Sequence, residues 1–270
     1  MNVFLKRIAD ALDRLAPFDK VCDFYKSDAF CFDKESLNFI AINSFDYVPF
    51  ECLVGIDNQK ETMYQNTLRF LDGNRFNNAL LWGARGSGKS SLIKAVVMKI
   101  NGENKNKLCL IEVKKQDLKF LNKIITSLSD SKRKFVLYCD DLSFDENDKE
   151  IFRYLKTLLD GSLMSIPPNI VFYATSNRRH LIVSEKQDTD MSALKIKENI
   201  DEGVALSDRF GLWLGFHEVD QEDYLKIVFN YVRLFNVSID EENIVPKALE
   251  WSRIRGSRSG RVAYQFVKSL

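Results

Sequence analysis

Residues 79–91 carry a pattern that is typical of phosphate binding. Gly83, Gly88, Lys89 and Ser90 match G-x-x-x-x-G-K-[ST], directly after the apolar run ALLW and before the helical run SLIKAVVMKI. Glycines let backbone N–H groups surround phosphate oxygens, and the N-terminus of the following helix adds partial positive charge. The lysine is expected to reach the β- and γ-phosphates, and the serine hydroxyl to bind Mg²⁺. An accidental match arises about once per hundred chains of this size, and the flanking strand and helix make it rarer. The segment predicts an ATP-binding loop formed by Gly83, Ala84, Arg85, Gly86, Ser87, Gly88, Lys89, Ser90 and Ser91.

Two adjacent carboxylates follow the apolar run FVLYC. Asp140 and Asp141 lie at the carboxyl end of this predicted strand, which is where open parallel sheets bind their ligands. Asp140 is expected to hold Mg²⁺ opposite Ser90, directly or through water. Asp141 is then the candidate to orient or deprotonate the attacking water. The alternative is a pair of solvated turn residues, and the phosphate-binding loop argues against it.

Four further polar residues are candidates for contact with a γ-phosphate. Asn177 follows the run NIVFYATS and could bind the phosphate or the lytic water, provided that its strand lies between the other two; a simple turn residue is the alternative. Arg209 precedes the run LWLGF and is either an arginine finger that reaches a neighbouring subunit or a surface ion-pair partner. Arg258 and Arg261 begin the last helical segment, where either could fold onto the phosphates while the other stays solvated.

The elements that position these residues alternate between strand and helix from residue 77 onward. The apolar runs ALLW, LCLIEV, FVLYCD, NIVFYATS and LWLGF predict a parallel sheet buried on both faces. The fold class is therefore α/β, a three-layer α/β/α sandwich with a five-stranded parallel sheet. Three helical segments follow, for which Asp220 and either Ser257 or Ser259 are the predicted caps, with Pro246 opening the middle helix. The domains are a 1–49 extension of unassigned role, a 50–216 nucleotide-binding domain and a 217–270 helical lid.

Composition excludes several classes of protein. The 39 basic and 38 acidic residues leave a net charge of +1, so no global field attracts nucleic acid or anionic lipid, although a local basic patch is compatible with these totals. The five cysteines are odd in number, which favours a reducing cytoplasm. The amphipathic helix predicted over residues 3–15 is unlike a signal peptide, and no apolar run is long enough to cross a membrane. His180 and His217 lack companions at metal-ligand spacing.

The order of the motifs resembles that of the AAA+ ATPases over residues 50–270. LVGIDNQK looks like the segment that contacts adenine in that family, which implies Val54, Gly55 and Ile56 near the base. GARGSGKS and FVLYCDD resemble the Walker A and Walker B motifs, ATSN resembles sensor 1, DRF the arginine finger and GSRSGR sensor 2. The spacing of the following apolar residues favours Arg261 over Arg258 for the last role.

The segments CDDLSF, ATSNRRHL and SDRFGLWLGF look most like a bacterial family of predicted AAA+ ATPases with no assigned cellular role. The bacterial replication initiator and its helicase-loader relatives are more distantly similar. The resemblance implies an ATP hydrolase that binds Mg–ATP at the interface of a homo-oligomer, either ring or helical, and remodels or loads an unidentified protein or nucleic-acid partner.

Two alternatives remain open. The first is a slow or non-hydrolysing ATP-gated switch or adaptor, which could be associated with DNA. Asp141 favours it, because many AAA+ proteins carry the longer glutamate at this position, and a misplacement near 1 Å can cost about a hundredfold in rate. The second is a P-loop kinase, which the implied strand order and the C-terminal helices argue against.

Overall fold

The computed structural model describes residues 22–104, 107–145, 148–159, 166–179, 181, 206, 208–238 and 241–270, with the backbone alone for 241 and 242. The helix predicted over residues 3–15 and His180 lie outside these residues. Within them, no helix combines the length and the apolar composition that crossing a bilayer requires.

A seven-stranded sheet forms the centre of the molecule, in the order β2-β1-β4-β5-β6-β3-β7. Only β1 and β2 pair antiparallel, and the other neighbours are parallel. All seven residues of β6 are buried, as expected for a strand that is covered on both faces. The strands are β1 (Ala29–Asp33), β2 (Asn38–Ala41), β3 (Ala79–Gly83), β4 (Leu108–Glu112), β5 (Lys134–Cys139), β6 (Ile170–Ser176) and β7 (Leu212–Phe216).

The prediction of five strands was too low by two, because β1 and β2 lie in the aromatic-rich segment before residue 50. Phe30 and Phe32 of β1 are buried, and Phe24 contacts Phe30 and Phe135 edge-to-face. These short aromatic runs fill the core beside β4 and β5. They have neither a long period-2 pattern nor a helical pattern from which the two strands could be predicted. The five predicted strands are all present, and β1 adds to the parallel sheet beside β4.

Helices cover both faces of the sheet. Helices α1 (Asp57–Asp72) and α2 (Lys89–Glu103) pack on one face, and α3 (Leu121–Ser129) and α4 (Lys149–Leu159) on the other. Neighbouring residues of β5 alternate between the two cores, so that Phe135 joins one cluster and Val136 the other. Short 3-10 helices occupy Phe50–Cys52 and Lys115–Phe120. The α/β/α sandwich is therefore confirmed.

Three C-terminal helices follow the sheet, and we call them the lid: α5 (Gln221–Leu234), α6 (Glu241–Ile254) and α7 (Gly260–Lys268). They share a separate hydrophobic cluster that includes Tyr224, Val228 and Phe266. The Asp220 carboxylate accepts a hydrogen bond from the Asp223 N–H, and the Ser259 hydroxyl accepts one from the Val262 N–H, so both helices have the predicted caps.

The prediction that Pro246 opens the middle lid helix was wrong. Helix α6 begins at residue 241, which places Pro246 in its second turn. A proline there removes one intrahelical hydrogen bond close to the helix start, where few such bonds have yet formed. The helix therefore extends to the N-terminal side of the proline.

Candidate functional site

The loop between β3 and α2 has the backbone that its glycines predict. Gly83 has φ +137°, and a Cβ there would lie 1.9 Å from the carbonyl oxygen of Phe216. Gly88 has φ +98° and is the N-cap residue of α2. The first N–H groups of a helix have no intrahelical partners, so they are available to an anion at the loop. This arrangement suits phosphate oxygens.

Lys89 is folded back over the loop. Its Nζ donates to the carbonyl oxygens of Gly83 at 2.9 Å and Ala84 at 2.6 Å, and to Asn177 Oδ1 at 3.2 Å. Burial lowers the pKa of Lys89, and the negative charges of Asp140 and Asp141 oppose this effect. The lysine thus supplies a positive charge at the floor of the loop, held by acceptors that an incoming phosphate can replace.

Ser90 and Asp140 meet at the carboxyl edge of the sheet. The Ser90 hydroxyl donates to Asp140 Oδ1 at 2.6 Å, and the Thr175 hydroxyl donates to the same oxygen. Burial raises the pKa of Asp140, but these hydrogen bonds outweigh burial, so the pKa lies below its ordinary value. An ionised carboxylate and a hydroxyl within hydrogen-bond distance of each other form an oxygen donor pair of the kind that Mg²⁺ prefers, and the residues therefore fit this ion.

Asn177 and Asp141 form a second hydrogen-bonded pair beside Lys89. Because β6 lies between β5 and β3, Asn177 follows the central strand of the three, which is the condition on which its proposed contact with phosphate depended. Its Nδ2 donates to Asp141 Oδ1 at 2.6 Å. Lys89, Asn177 and Asp141 are thus connected by consecutive hydrogen bonds.

The backbone at position 141 has a conformation that suits a short polar side chain. Asp141 has φ +54°, in the left-handed region, and its N–H donates to the Thr175 hydroxyl at 3.0 Å. Aspartate tolerates this region better than longer side chains do, because its short polar group bonds locally. Thr175 was not predicted as a site residue, although it lies in the same ATSN segment as Asn177.

A cleft of about 410 Å³ extends from the loop to an apolar end. Val54 and Ile56, which the resemblance implies near the base, line this cleft, whereas Gly55 is not among the described lining residues and instead turns the chain with φ +75°. Sequence reasoning missed the rest of the apolar end, which consists of Val48, Cys52, Leu53, Val219, Ile227, Tyr231 and Tyr264. The lid residues among them could not be assigned to the cleft, because the sequence does not show how the lid packs against the sheet and its helices.

The three candidate arginines lie in different places. Arg261 lines the cleft with Gly260. Arg258 lies in a neighbouring groove and donates to Gln221 Oε1 at 3.4 Å. Arg209 is half-buried ahead of β7 and is not among the described residues that line its own chain's cleft. The geometry therefore favours Arg261 for a phosphate contact within the chain.

The lid touches the loop between β3 and α2 directly. The Gly260 N–H donates to the Gly86 carbonyl oxygen at 3.1 Å. Gly86 has φ +74°, and a Cβ there would lie 2.8 Å from both Cβ and Oγ of Ser259. Only a glycine allows the loop and the start of α7 to approach this closely.

One family model matches residues 25–270, that of the "protein of unknown function" family DUF815. The chain belongs to the DUF815 family. A search of the curated proteins finds no match for this DUF815 chain.

Solved structures similar to the DUF815 chain share its fold. The Thermotoga maritima RuvB Holliday junction branch migration motor is 17% identical with a TM-score of 0.51, covering 81% of this chain and 62% of that one. The Aeropyrum pernix ORC1 protein, solved in complex with DNA, is 13% identical with a TM-score of 0.54, covering 80% and 61%. The chain thus spans less than two thirds of either structure. At these identities the likeness establishes the AAA+ fold that the sequence resemblance implied.

Proposed function

We propose that this protein binds Mg–ATP in the cleft and hydrolyses it as an AAA+ ATPase. The observation that carries the proposal is the convergence of Lys89, Ser90, Asp140, Asp141 and Asn177 at one edge of the sheet, joined by hydrogen bonds. These residues come from three separate segments of the chain. Such a set at the carboxyl ends of β3, β5 and β6 suits phosphoryl transfer to water.

The phosphates would lie on the loop from Gly83 to Ser91, with Lys89 contacting the β- and γ-phosphates. Ser90 and Asp140 would hold Mg²⁺, which when bound neutralises charge on the phosphate oxygens. The base would lie against Val54 and Ile56, in the apolar end of the cleft. An apolar wall with a few convergent polar groups is the usual composition of a ligand site.

Asn177 and Asp141 would act on the attacking water. Asp141 would orient this water or accept its proton, and Asn177 would bind the γ-phosphate or the water. In the present arrangement Asn177 Nδ2 donates to Asp141, and Asn177 Oδ1 accepts from Lys89. These two hydrogen bonds must therefore break, or be shared with the nucleotide or water, when nucleotide binds. Arg261 would contact the phosphates from the lid.

The active assembly would be a homo-oligomer, ring or helical, in which Arg209 of one protomer completes the cleft of the next. An arginine supplied in trans stabilises charge that develops on the γ-phosphate. The work of the assembly would be to remodel or load a protein or nucleic-acid partner in the cytoplasm. The similarity to a branch migration motor and to a protein solved with DNA supports a nucleic-acid partner.

A concentration series with two variants tests this proposal. We expect ATP turnover per protomer to rise steeply as light scattering reports assembly in ATP. Lys89→Ala should abolish ATP binding, and Arg209→Ala should keep binding but lose hydrolysis. Mixing these two inactive proteins should restore part of the turnover, because a Lys89→Ala protomer supplies Arg209 to the cleft of an Arg209→Ala protomer, whose loop is intact. Full turnover by Arg209→Ala alone would refute a finger in trans.

The second candidate is an ATP-gated switch or adaptor with little turnover, and the shorter side chain of Asp141 favours it. Tight ATP binding with slow turnover that does not change with protein concentration would support this function. Assembly measured by light scattering in ATP and in ADP would then be the relevant output.

A further inference from the structure

A second cavity lies beside the phosphate-binding loop and shares Arg85 and Ser87 with the nucleotide cleft. It has a volume of about 530 Å³, and Arg253 and Arg258 of the lid line it together with Ser257. We call this cavity the arginine groove. The roles proposed above use its loop residues Arg85 and Ser87, but none of them uses Arg253, Ser257 or Arg258.

The arginine groove carries unbalanced positive charge. The residues that line it include three arginines and one carboxylate. The arginines are Arg85, Arg253 and Arg258, and the carboxylate is Glu218. All three arginines are exposed, and within the part of the chain that the structure describes they form no ion pair with a carboxylate. Their charge is therefore available to a ligand.

The positive charge continues beyond the cavity along the chain. Residues 251–270 contain four arginines, one lysine and no acidic residue, in a protein whose net charge is only +1. Arg255, in the turn between α6 and α7, is exposed, and its guanidinium lies 5.1 Å from the centroid of the Trp251 ring. A single small anion would leave this outer charge unused, so the surface suits an extended polyanion.

We propose that the arginine groove binds the phosphate backbone of a nucleic-acid strand. Guanidinium groups match phosphate oxygens with two parallel N–H donors, and serine hydroxyls and backbone N–H groups are common additional donors to phosphate. The proposal names the chemical class of the partner, and it rests on the proposed function only for its link to ATP. Sequence preference is not expected, because phosphate contacts carry none.

The groove has a physical connection to the nucleotide cleft. Arg85 and Ser87 line both cavities, and the Gly260 N–H to Gly86 oxygen bond fixes the lid turn against the loop. A strand held by Arg253 and Arg258 therefore contacts the loop that would bind ATP. Coupling of this kind is reciprocal, so nucleotide should change the affinity for the strand as much as the strand changes the affinity for nucleotide.

The test is fluorescence anisotropy of a fluorescein-labelled oligothymidylate, titrated with the full chain at several salt concentrations, with and without Mg–ATP. The variant Arg253→Gln/Arg258→Gln removes two charges from the groove. Arg75→Gln/Arg153→Gln is the matched control, because both of its arginines are exposed and neither lines the groove. We expect the groove variant to bind about tenfold or more weakly and its log–log salt slope to fall by about 1.4, which is roughly 0.7 for each lost phosphate contact.

The proposal is overturned if the wild-type protein does not bind the oligonucleotide, or if the groove variant binds it as well as the control does. Polyglutamate that displaces the oligonucleotide at equal charge concentration would also overturn it, in favour of an acidic protein partner. A fluorescent ATP analogue titrated into each protein keeps the two hypotheses apart. A protein that binds the oligonucleotide but does not bind ATP would contradict the proposed function and would still support the groove proposal.

Discussion

The substitution Asp141→Asn changes the chemistry of the site without changing its shape. The two side chains have the same size, and the new amide oxygen can still accept the hydrogen bond from Asn177 Nδ2, which is 2.6 Å long in the wild-type protein. Asparagine also tolerates the left-handed backbone at this position. The substitution therefore removes a negative charge and the proposed base, while it leaves the surrounding contacts in place.

The expected effect on turnover follows from the role of a general base. Removing such a base costs about 10²–10⁴ in rate, or about 2.7–5.4 kcal/mol of activation free energy. ATP binding should be unchanged or tighter, because one negative charge beside the phosphates is lost and Lys89 is still present. Bound ATP should thus accumulate unhydrolysed on the variant.

Single-turnover hydrolysis of radiolabelled ATP measures the rate, and a fluorescent ATP analogue measures binding. Glu112→Gln is the control, because Glu112 ends β4 at the same edge of the sheet but does not line the cleft. Turnover of Asp141→Asn within about threefold of the wild-type rate would refute Asp141 as the base, since even the weakest general bases contribute about 10².

Three further predictions concern the lid, the base end of the cleft and the core. Arg261→Gln should weaken ATP binding by about tenfold or more, since a charge-assisted hydrogen bond contributes about 1.5–3 kcal/mol, and Arg258→Gln should leave it nearly unchanged in the same titration. ATP should protect Cys52, which lines the cleft, from iodoacetamide but should not protect Cys22. Burial raises the pKa of Cys109 and Cys139 to about 12, so their thiolates should be scarce at pH 8 and become more populated only as the pH rises towards 12. Both cysteines should therefore remain unlabelled in mass spectra of the folded protein. Arg133→Met should lower the free energy of unfolding by about 3–5 kcal/mol in urea, because the buried guanidinium binds Asp28 and the carbonyl oxygens of Phe24, Ser27 and Leu108, whereas the exposed neighbour Lys132→Met should have little effect.

The sequence predicted the residues whose environment is set locally. Gly83 and Gly88 lie at backbone angles that favour glycine, and Asp140 and Asn177 follow strands whose apolar runs are unmistakable. Parallel strands bring their carboxyl ends to one edge, so residues distant in the chain could be placed together before the structure was known. Their functional roles stay predictions.

Residues whose position depends on long-range packing were not predictable. The aromatic segment before residue 50 showed no clear period, because β1 is short and the ring that packs on its Phe30, that of Phe24, lies outside the strand. Tyr231 and Tyr264 read as core residues of the lid, and only the seating of the lid on the sandwich brings them to the cleft. Thr175 was hidden for a different reason, since a threonine in a buried strand is equally typical of packing.

The contact between Gly86 and Gly260 gives the site a direct mechanical link. Gly86 lies in the loop that would surround the phosphates, and Gly260 begins α7, whose next residue, Arg261, lines the cleft. Ser259 caps the same helix and approaches Gly86 too closely for any side chain there. A change in the loop on phosphate binding must therefore either break this contact or move α7 with it. If the contact breaks, we expect Arg258, in the turn before α7, to change its position relative to Arg85, so that the shape of the arginine groove depends on the nucleotide state. If the contact holds, the loop and α7 move together, and we expect the groove to keep its shape.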